Sequence, residues 1–259
     1  MNDKVEVPGS VHSVGKAMMI LDLLLEKRTP LSLKEISEFS GFPKSTVHAT
    51  LSTLREYRMV EQEDDGRYAL GIHLYELGCA AASTWDISGM VHPYLEKLSE
   101  VTGASSFIAV LDKDGGMTFD HSSGAGGLQI VSDLGTRLPL HATAQGKILL
   151  SGMEEAELDR YLEGNYLTEF TPHTITDVRK LREEIEKVRR DGYAVEDGEY
   201  RIGLRACACG VKDQKGRIRY AMGTLGFFRR VNSEEFQDAI RETMRYAGLL
   251  SREVARKMV

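Results

Sequence analysis

The chain has 259 residues, with 33 Lys and Arg against 39 Asp and Glu for a formal charge of −6, and 42% of it is apolar. That length suits one large domain or two modest ones. No apolar run approaches the ~18–20 residues that span a bilayer. The N-terminus lacks the basic-then-apolar pattern of a secretion signal, and Cys79, Cys207 and Cys209 are too few for a disulfide framework, so a cytoplasmic setting with no membrane anchor is expected. Taken alone, the acidic balance speaks against a nucleic-acid partner; its local distribution has to decide.

Residues 11–27 set Val14, Ala17, Met18, Leu21 and Leu24 at steps of three and four, an amphipathic helix that Thr29-Pro30 stops. Ser32 with Glu35 three residues on fits a capping box, opening a short helix with Leu33, Ile36 and Phe39 as its stripe. Ser40-Gly41-Phe42 reads as a tight turn, and Pro43 suits the first position of a third helix carrying Val47, Leu51 and Leu54. The period then changes. Residues 59–63 and 67–70 read as two strands around Asp64-Asp65-Gly66, a strong hairpin signal. Helix, helix-turn-helix and hairpin in that order outline a winged helix.

The third helix carries the chemistry. Lys44, Ser45 and Thr46 fill its first turn, where backbone amides already favour a phosphate. His48, Ser52 and Arg55 follow on polar faces, suited to phosphates and base edges in a major groove. Arg67 on the hairpin is placed to reach the DNA backbone or the neighbouring minor groove, and Ser32 at the start of the preceding helix is counted with these candidates. Residues 1–75 hold nine cations and eleven acids, but 43–58 holds three cations and one acid. One copy should bind DNA weakly, because phosphate neutralisation supplies the sequence-independent affinity; that favours an assembly presenting several readers. The same face also reads as the solvated side of a small helical domain.

The segments "SVGKAMMILDLL", "LSLKEISEFSGFPKSTVHATLSTL" and "RYALGIHLYELG", with "TRLPLHATAQGKILLSG" and "GYAVEDGEYRIGLRACACGVKD" further on, resemble IclR-type bacterial transcription regulators over essentially the whole chain. The resemblance implies an α+β protein: a winged helix-turn-helix over 10–71, a linker helix over 72–86, and a GAF-like effector-binding and oligomerisation domain with an antiparallel sheet over 87–259. It implies double-stranded operator DNA, a small-molecule effector, and a homodimer or dimer of dimers as partners. Many relatives have arginine directly after the "STVH" run, where this chain has Ala49, so operator sequence does not carry over.

In the linker, Ile72, Leu74, Leu77 and an alanine cluster read as a helix with one sticky face, and Cys79 as a small buried hydrophobe. Beyond it, Met90, Val91, Leu95 and Leu98 suggest a helix interrupted early by Pro93. Helices are expected over 143–151 and 154–162, and a clear stripe at Val178, Leu181, Ile185 and Val188. Strands are expected at 106–111, again just after an Asp112–Gly116 turn, and at 193–195, 206–211 and 219–225. A terminal helix carries Phe236, Ile240, Met244, Ala247 and Val254. This order fits an α+β layer with an antiparallel sheet. No phosphate loop or nucleophile elbow is present, and His121, His141 and His173 are scattered. Cys207 and Cys209 are expected on opposite faces of their strand, which disfavours a shared metal. No metal or cofactor is expected. Glu196, Asp197 and Glu199 form an acidic cluster that reads most simply as a solvated turn.

The resemblance gives those segments an effector role. It maps Ala144 and Gln145 to main-chain contacts at a helix N-terminus. Ile130, Leu138 and Leu204 map to apolar walls, and Glu196 to an acidic position where relatives often have Asp. Ala206 stands where relatives often have cysteine; Gly223 and Leu225 stand where some have serines that hold small carboxylates. A site without those donors should discriminate poorly for a two- or three-carbon keto acid, so a larger or less polar effector, aromatic among the options, is expected. These substitutions also admit the reading that they close the pocket around core side chains. A ligand-responsive regulator is the leading function. An interaction adaptor with a winged helix that does not touch DNA, and an enzyme with an accessory winged helix, remain open.

Overall fold

A computed structural model describes residues 11–83, 87–112, 115–124, 135, 137–164 and 166–257. The chain divides into two compact units, residues 1–85 and 86–259. The N-terminal unit contains α1 (His12–Lys27), α2 (Leu33–Ser40), α3 (Lys44–Glu56), β1 (Val60–Gln62), β2 (Tyr68–Leu70) and α4 (Ile72–Ser83). Its core gathers Ile20, Leu24, Leu31, Ile36, Val47, Leu51 and Val60, each worth ~1.5–3 kcal/mol when withdrawn from water. The expected capping box is present at Ser32 and Glu35, and Gly41 closes α2 at φ 72°. β1 and β2 pair antiparallel, and Leu31 bridges to Tyr68, so the wing gains a residue from ahead of α2.

Three local expectations shift. The first half of the α1 stripe is not buried: Val14 and Met18 are exposed while Ile20, Leu21 and Leu24 enter the core. On α2 only Ile36 is buried, and Phe39 lies exposed with the Lys27 ammonium 4.8 Å from its ring. Cys79 is exposed rather than buried, because α4 leaves most of its residues, Ile72, Tyr75 and Leu77 among them, uncovered.

The C-terminal unit contains α5 (Ser88–Thr102), β3 (Ser105–Asp112), β4 (Gly115–Ser122), β5 (Arg137–Leu138), α6 (Ala144–Ser151), α7 (Glu155–Gly164), α8 (Val178–Asp191), β6 (Tyr193–Asp197), β7 (Arg205–Lys212), β8 (Ile218–Gly226) and α9 (Glu234–Lys257). The strands form one antiparallel sheet in the order β5-β4-β3-β8-β7-β6. Alternation along each strand gives the sheet two apolar faces. Ala109, Ala194, Ala206, Ala208 and Ala221 pack beneath α6 and α8. Ile108, Cys209, Val211 and Met222 pack against α5 and α9. The expected antiparallel α+β architecture is therefore the observed one.

Helix α5 runs through Pro93 instead of breaking there; one turn into a helix, the ring forfeits a single carbonyl partner and meets only Gly89 four residues back. Cys207 and Cys209 do not diverge. Residues two apart on a strand share a face, and both are buried on the α9 side, with Cys207 Sγ 3.1 Å from Thr224 Oγ1 and 3.5 Å from Thr243 Oγ1. Met244, expected in the core stripe of α9, is exposed, and Thr243 beside it is buried.

Candidate nucleic-acid interface and effector site

Helix α3 has two faces. Val47, Leu51 and Leu54 are buried. Lys44, Ser45, His48 and Arg55 are exposed, and Thr46 and Ser52 are half-buried. Ser45, His48, Ser52 and Arg55 follow at steps of three and four, a single stripe beside the buried one. Ala49 is exposed beside it. Pro43 is the N-cap, one residue earlier than its expected place, and no side chain caps the first amides of α3. Free amides at an exposed helix start, next to the Lys44 ammonium, suit a phosphate.

Three of the expected contacts are already engaged within the unit. Ser32 Oγ donates to Glu35 Oε2 at 2.7 Å and accepts from the Glu35 amide at 3.3 Å, which commits it to starting α2; the Ser32 amide also donates to Glu35 Oε2 at 2.8 Å, and that bond first, with the hydroxyl's, holds the Glu35 carboxyl below its ordinary range. Arg55 donates to Gln62 Oε1 at 2.8 Å, and Gln62 Nε2 donates to the Gly66 carbonyl at 3.1 Å. Recognition helix and wing turn are thereby tied through Gln62, a residue the sequence did not single out. Arg67 pairs with Asp65 at 3.3 Å, with both side chains half exposed.

In the C-terminal unit, the turn before α6 is shaped by close approach. A Cβ on Gly146 would stand 2.3 Å from the Leu140 carbonyl, so glycine is required to seat the helix there. Thr143 caps the helix by accepting from the Gly146 amide at 3.1 Å. All eight residues of α6 are buried, Ala144 and Gln145 included. Cross-strand partners share a face, and the register sets Glu196 beside Ala206, Ala206 beside Leu225, and Leu225 beside Ser105. Ala144, Ala206, Leu138 and Leu225 belong to one apolar cluster, and Leu204 is buried just before β7. Ile130 lies outside the described residues.

Gly223 corrects the sequence reading. A Cβ there would lie 2.6 Å from the Cys207 carbonyl and 3.1 Å from Ala208 Cβ. The strands approach too closely for a hydroxymethyl group, so the position is closed by backbone rather than emptied of a donor. Ser105, buried in the row of Leu225, returns one hydroxyl to the face from a different strand.

The acidic cluster is only partly a solvated turn. Glu196 is 4% exposed and accepts from the Tyr200 amide at 3.2 Å. Burial pushes its carboxyl up to about 7, the Tyr200 amide acting against burial and the Glu199 charge adding to it. Glu199 is buried too, and its Oε1 accepts from Lys147 Nζ at 2.6 Å. Lys147 is 1% exposed and also donates to the Val195 carbonyl at 3.0 Å. Burial raises the Glu199 carboxyl against the pull of that ammonium. Nothing in the local pattern distinguishes Lys147 from a surface lysine; its burial arises from the β6–β7 loop folding over α6. His141, also buried, is held below its ordinary range by desolvation and bonds the Thr168 carbonyl at 2.9 Å. A separate cleft of about 580 Å³ opens at the other end of α6, β7 and β8, lined in part by Arg189, Lys212 and Arg217.

Residues 13–64 match the IclR helix-turn-helix domain, and residues 79–252 match the family described as bacterial transcriptional regulator IclR C-terminal. The chain belongs to the IclR family. It is 35% identical over 240 residues to the HTH-type transcriptional regulator XynR of Escherichia coli, covering 92% of this chain and 95% of that protein. The IclR structure of Thermotoga maritima is 29% identical with a TM-score of 0.74, covering 94% of this chain and 99% of that one. An IclR regulator from Alicyclobacillus acidocaldarius is 27% identical with a TM-score of 0.83, covering 95% and 99%. IclR-family membership makes the chain a ligand-responsive DNA-binding transcription regulator, with a helix-turn-helix unit and a C-terminal effector-binding unit. The relatives are regulators rather than enzymes. Among the described residues, no helix is long and apolar enough to cross a membrane.

Proposed function

We propose that this IclR-family regulator reads its operator with the exposed stripe of α3. Ser45 and His48 face base edges, Lys44 and the free amides around Thr46 hold a phosphate, and Ser52, Arg55 and Arg67 bind the backbone of the duplex. The observation that carries this reading is the uncapped, exposed N-terminus of α3 with a polar stripe running beside the buried apolar one. Ser32 contributes by starting α2. Residues 10–71 form the DNA-binding domain, 72–86 the linker and 87–259 the effector-binding domain. The exposed apolar residues of α1 and α4, Val14, Met18, Ile72, Tyr75 and Leu77, supply the surface for a homodimer or a dimer of dimers. The protein acts in the cytoplasm.

The effector lies on the α6 side of the C-terminal sheet, against Ala144, Gln145, Glu196, Leu204, Ala206 and Leu225, and is larger than a two- or three-carbon keto acid. A gel shift on the gene's own upstream region, repeated across salt concentrations and a metabolite panel, tests the whole reading. Retardation that weakens steeply with salt supports it; no retardation at any salt rejects it in favour of an adaptor. Micromolar stabilisation by glyoxylate or pyruvate in a thermal shift would reject the expected effector size.

A further inference from the structure

Helix α3 ends on a motif that ordinarily calls for glycine. The Arg58 amide donates to the Arg55 carbonyl at 2.9 Å, and the Met59 amide donates to the Leu54 carbonyl at 2.9 Å. These are the paired bonds of a helix closed by a left-handed residue. That residue is Arg58, at φ 57°. Among the described residues only Arg28 and Arg58 adopt a positive φ without being glycine, a conformation that crowds Cβ against the following carbonyl. By contrast α2, α5 and α8 end on Gly41, Gly103 and Gly192 in the same conformation. Backbone strain of this kind persists where the surroundings hold it, and it concentrates at functional sites.

What holds Arg58 is the start of α4. Its carbonyl accepts from the His73 amide at 3.2 Å, and the Met59 carbonyl accepts from the Gly71 amide at 2.8 Å. A Cβ on Gly71 would stand 2.2 Å from the Arg58 carbonyl, so the two segments pass too closely for a side chain. The Arg58 guanidinium then reaches Glu76 on α4, with Nη2 3.0 Å from Oε2 and Nη1 3.5 Å from Oε1. Such a two-point contact fixes direction as well as distance. His73 Nδ1 lies 2.6 Å from the same Oε2. That bond first, with the Arg58 charge working beside it against desolvation, holds the Glu76 carboxyl below its ordinary range. Of the three cations in 43–58, Arg58 is thus the one that turns to α4.

We propose that Arg58 and Glu76, with His73 orienting the carboxylate, are positioning residues that set the angle between α3 and α4 and thereby the half-site spacing the protein accepts in its operator. This rests on reading α3 as the operator reader and the exposed face of α4 as part of a dimer surface. Ile72, Tyr75 and Cys79, at steps of three and four, form an exposed stripe on α4, while Leu74 packs on the core of the unit. Two copies joined through α4 carry their recognition helices at a separation fixed by how each α3 meets its α4. Half-site spacing mirrors that separation. One base pair more or less shifts a half-site by ~3.4 Å and turns it by about a tenth of a turn, which a rigid junction rejects and a loosened one follows. The Arg58 and Glu76 side chains are 60% and 48% exposed, so their bridge adds little stability. What it supplies is orientation.

The test is binding-site selection from a random duplex library by the full chain, then gel shifts on the selected site with its spacer lengthened or shortened by one base pair. The native chain is expected to select paired half-sites and to bind the altered spacers roughly tenfold more weakly. Arg58→Gly, which relaxes the backbone, and Glu76→Ala should each keep the half-site bases and the denaturation midpoint while cutting that penalty to about threefold or less. The double variant should do no more than either alone, the mark of one shared interaction. His48→Ala should do the converse, changing a half-site base and keeping the spacing. A full spacing penalty in both single variants overturns the proposal and leaves the reading of α3 intact. So does a lower salt slope in Arg58→Gly with tighter binding by Glu76→Ala, the pattern of a phosphate contact that Glu76 competes for. Selection of single half-sites, or of none, overturns it together with the dimer or the α3 reading on which it rests.

Discussion

Helices α3 and α6 begin alike and end in opposite circumstances. Each starts at a turn whose residues favour an anion at the first amides, and each places a lysine within its first four residues. In α3 the start is capped only by Pro43, Lys44 is exposed, and the polar stripe faces outward. In α6 Thr143 caps the start, every residue is buried, and Lys147 is shut into an ion pair with Glu199. The difference teaches that a helix-start pattern specifies a local electrostatic preference, whereas what surrounds it decides whether that preference meets a ligand or the protein's own carboxylates. Substitutions in the exposed stripe of the N-terminal unit should therefore alter recognition with little change in stability, while those beneath α6 should alter stability first.

The largest effect is expected from Lys147→Met. It strands Glu199 in a buried site, and removing one partner of such a pair costs about 3–5 kcal/mol, read as a drop in the denaturation midpoint of the C-terminal unit. The double variant Lys147→Met, Glu199→Leu should recover most of the loss. A single variant as stable as the native chain would place Lys147 in water and erase the contrast with Lys44.

The next effect is a pH dependence. Glu196 titrates at about 7 in the folded unit instead of 4.5. Between those values the folded unit holds a proton that the unfolded chain has released, so its stability declines as pH rises through the window, by roughly 3 kcal/mol over the full span. Glu196→Gln cannot ionise and still accepts from the Tyr200 amide, so melts between pH 4.5 and 8 should lose this decline. An unchanged slope would show that burial does not govern the carboxyl.

In the N-terminal unit, His48→Ala should relax preference at one base position by about 1–3 kcal/mol. Arg55→Ala should weaken all sequences alike and reduce the salt slope by about one. Binding-site selection followed by salt titration distinguishes these outcomes, and identical behaviour of the two variants would remove the division between base reading and phosphate holding. The smallest effect belongs to Ser32→Ala, about 1 kcal/mol of stability from the lost cap. Weaker DNA binding with unchanged stability would make Ser32 a direct contact instead.

Much of the N-terminal unit is legible in its sequence because its determinants are local. The capping box at Ser32 and Glu35, the glycine turn at Gly41, the hairpin at Asp64–Gly66 and the buried stripe of α3 each act within a few residues. The exposed Cys79 was not legible, since an apolar helix reads as buried whether or not anything covers it. Nor was Gln62, whose importance comes from meeting Arg55 across the wing. In the C-terminal unit the longer strands and their antiparallel character were readable from alternation and turns, but β5 and the lateral neighbours of each strand were not.

The linear chain thus determined two units, a winged helix-turn-helix with a polar outer face, and an antiparallel α+β domain, because periodicity, capping and turn chemistry are short-range. Tertiary structure alone decided that Glu196 and Glu199 are buried rather than solvated and that Lys147 joins them. It also decided that Gly223 has no room for a side chain. Those outcomes depend on strand register and on loops folding over a helix, which join residues tens of positions apart and set the dielectric around each charge. The overall charge of −6 carries none of that information, since an outward-facing Lys44 and an entombed Lys147 count alike.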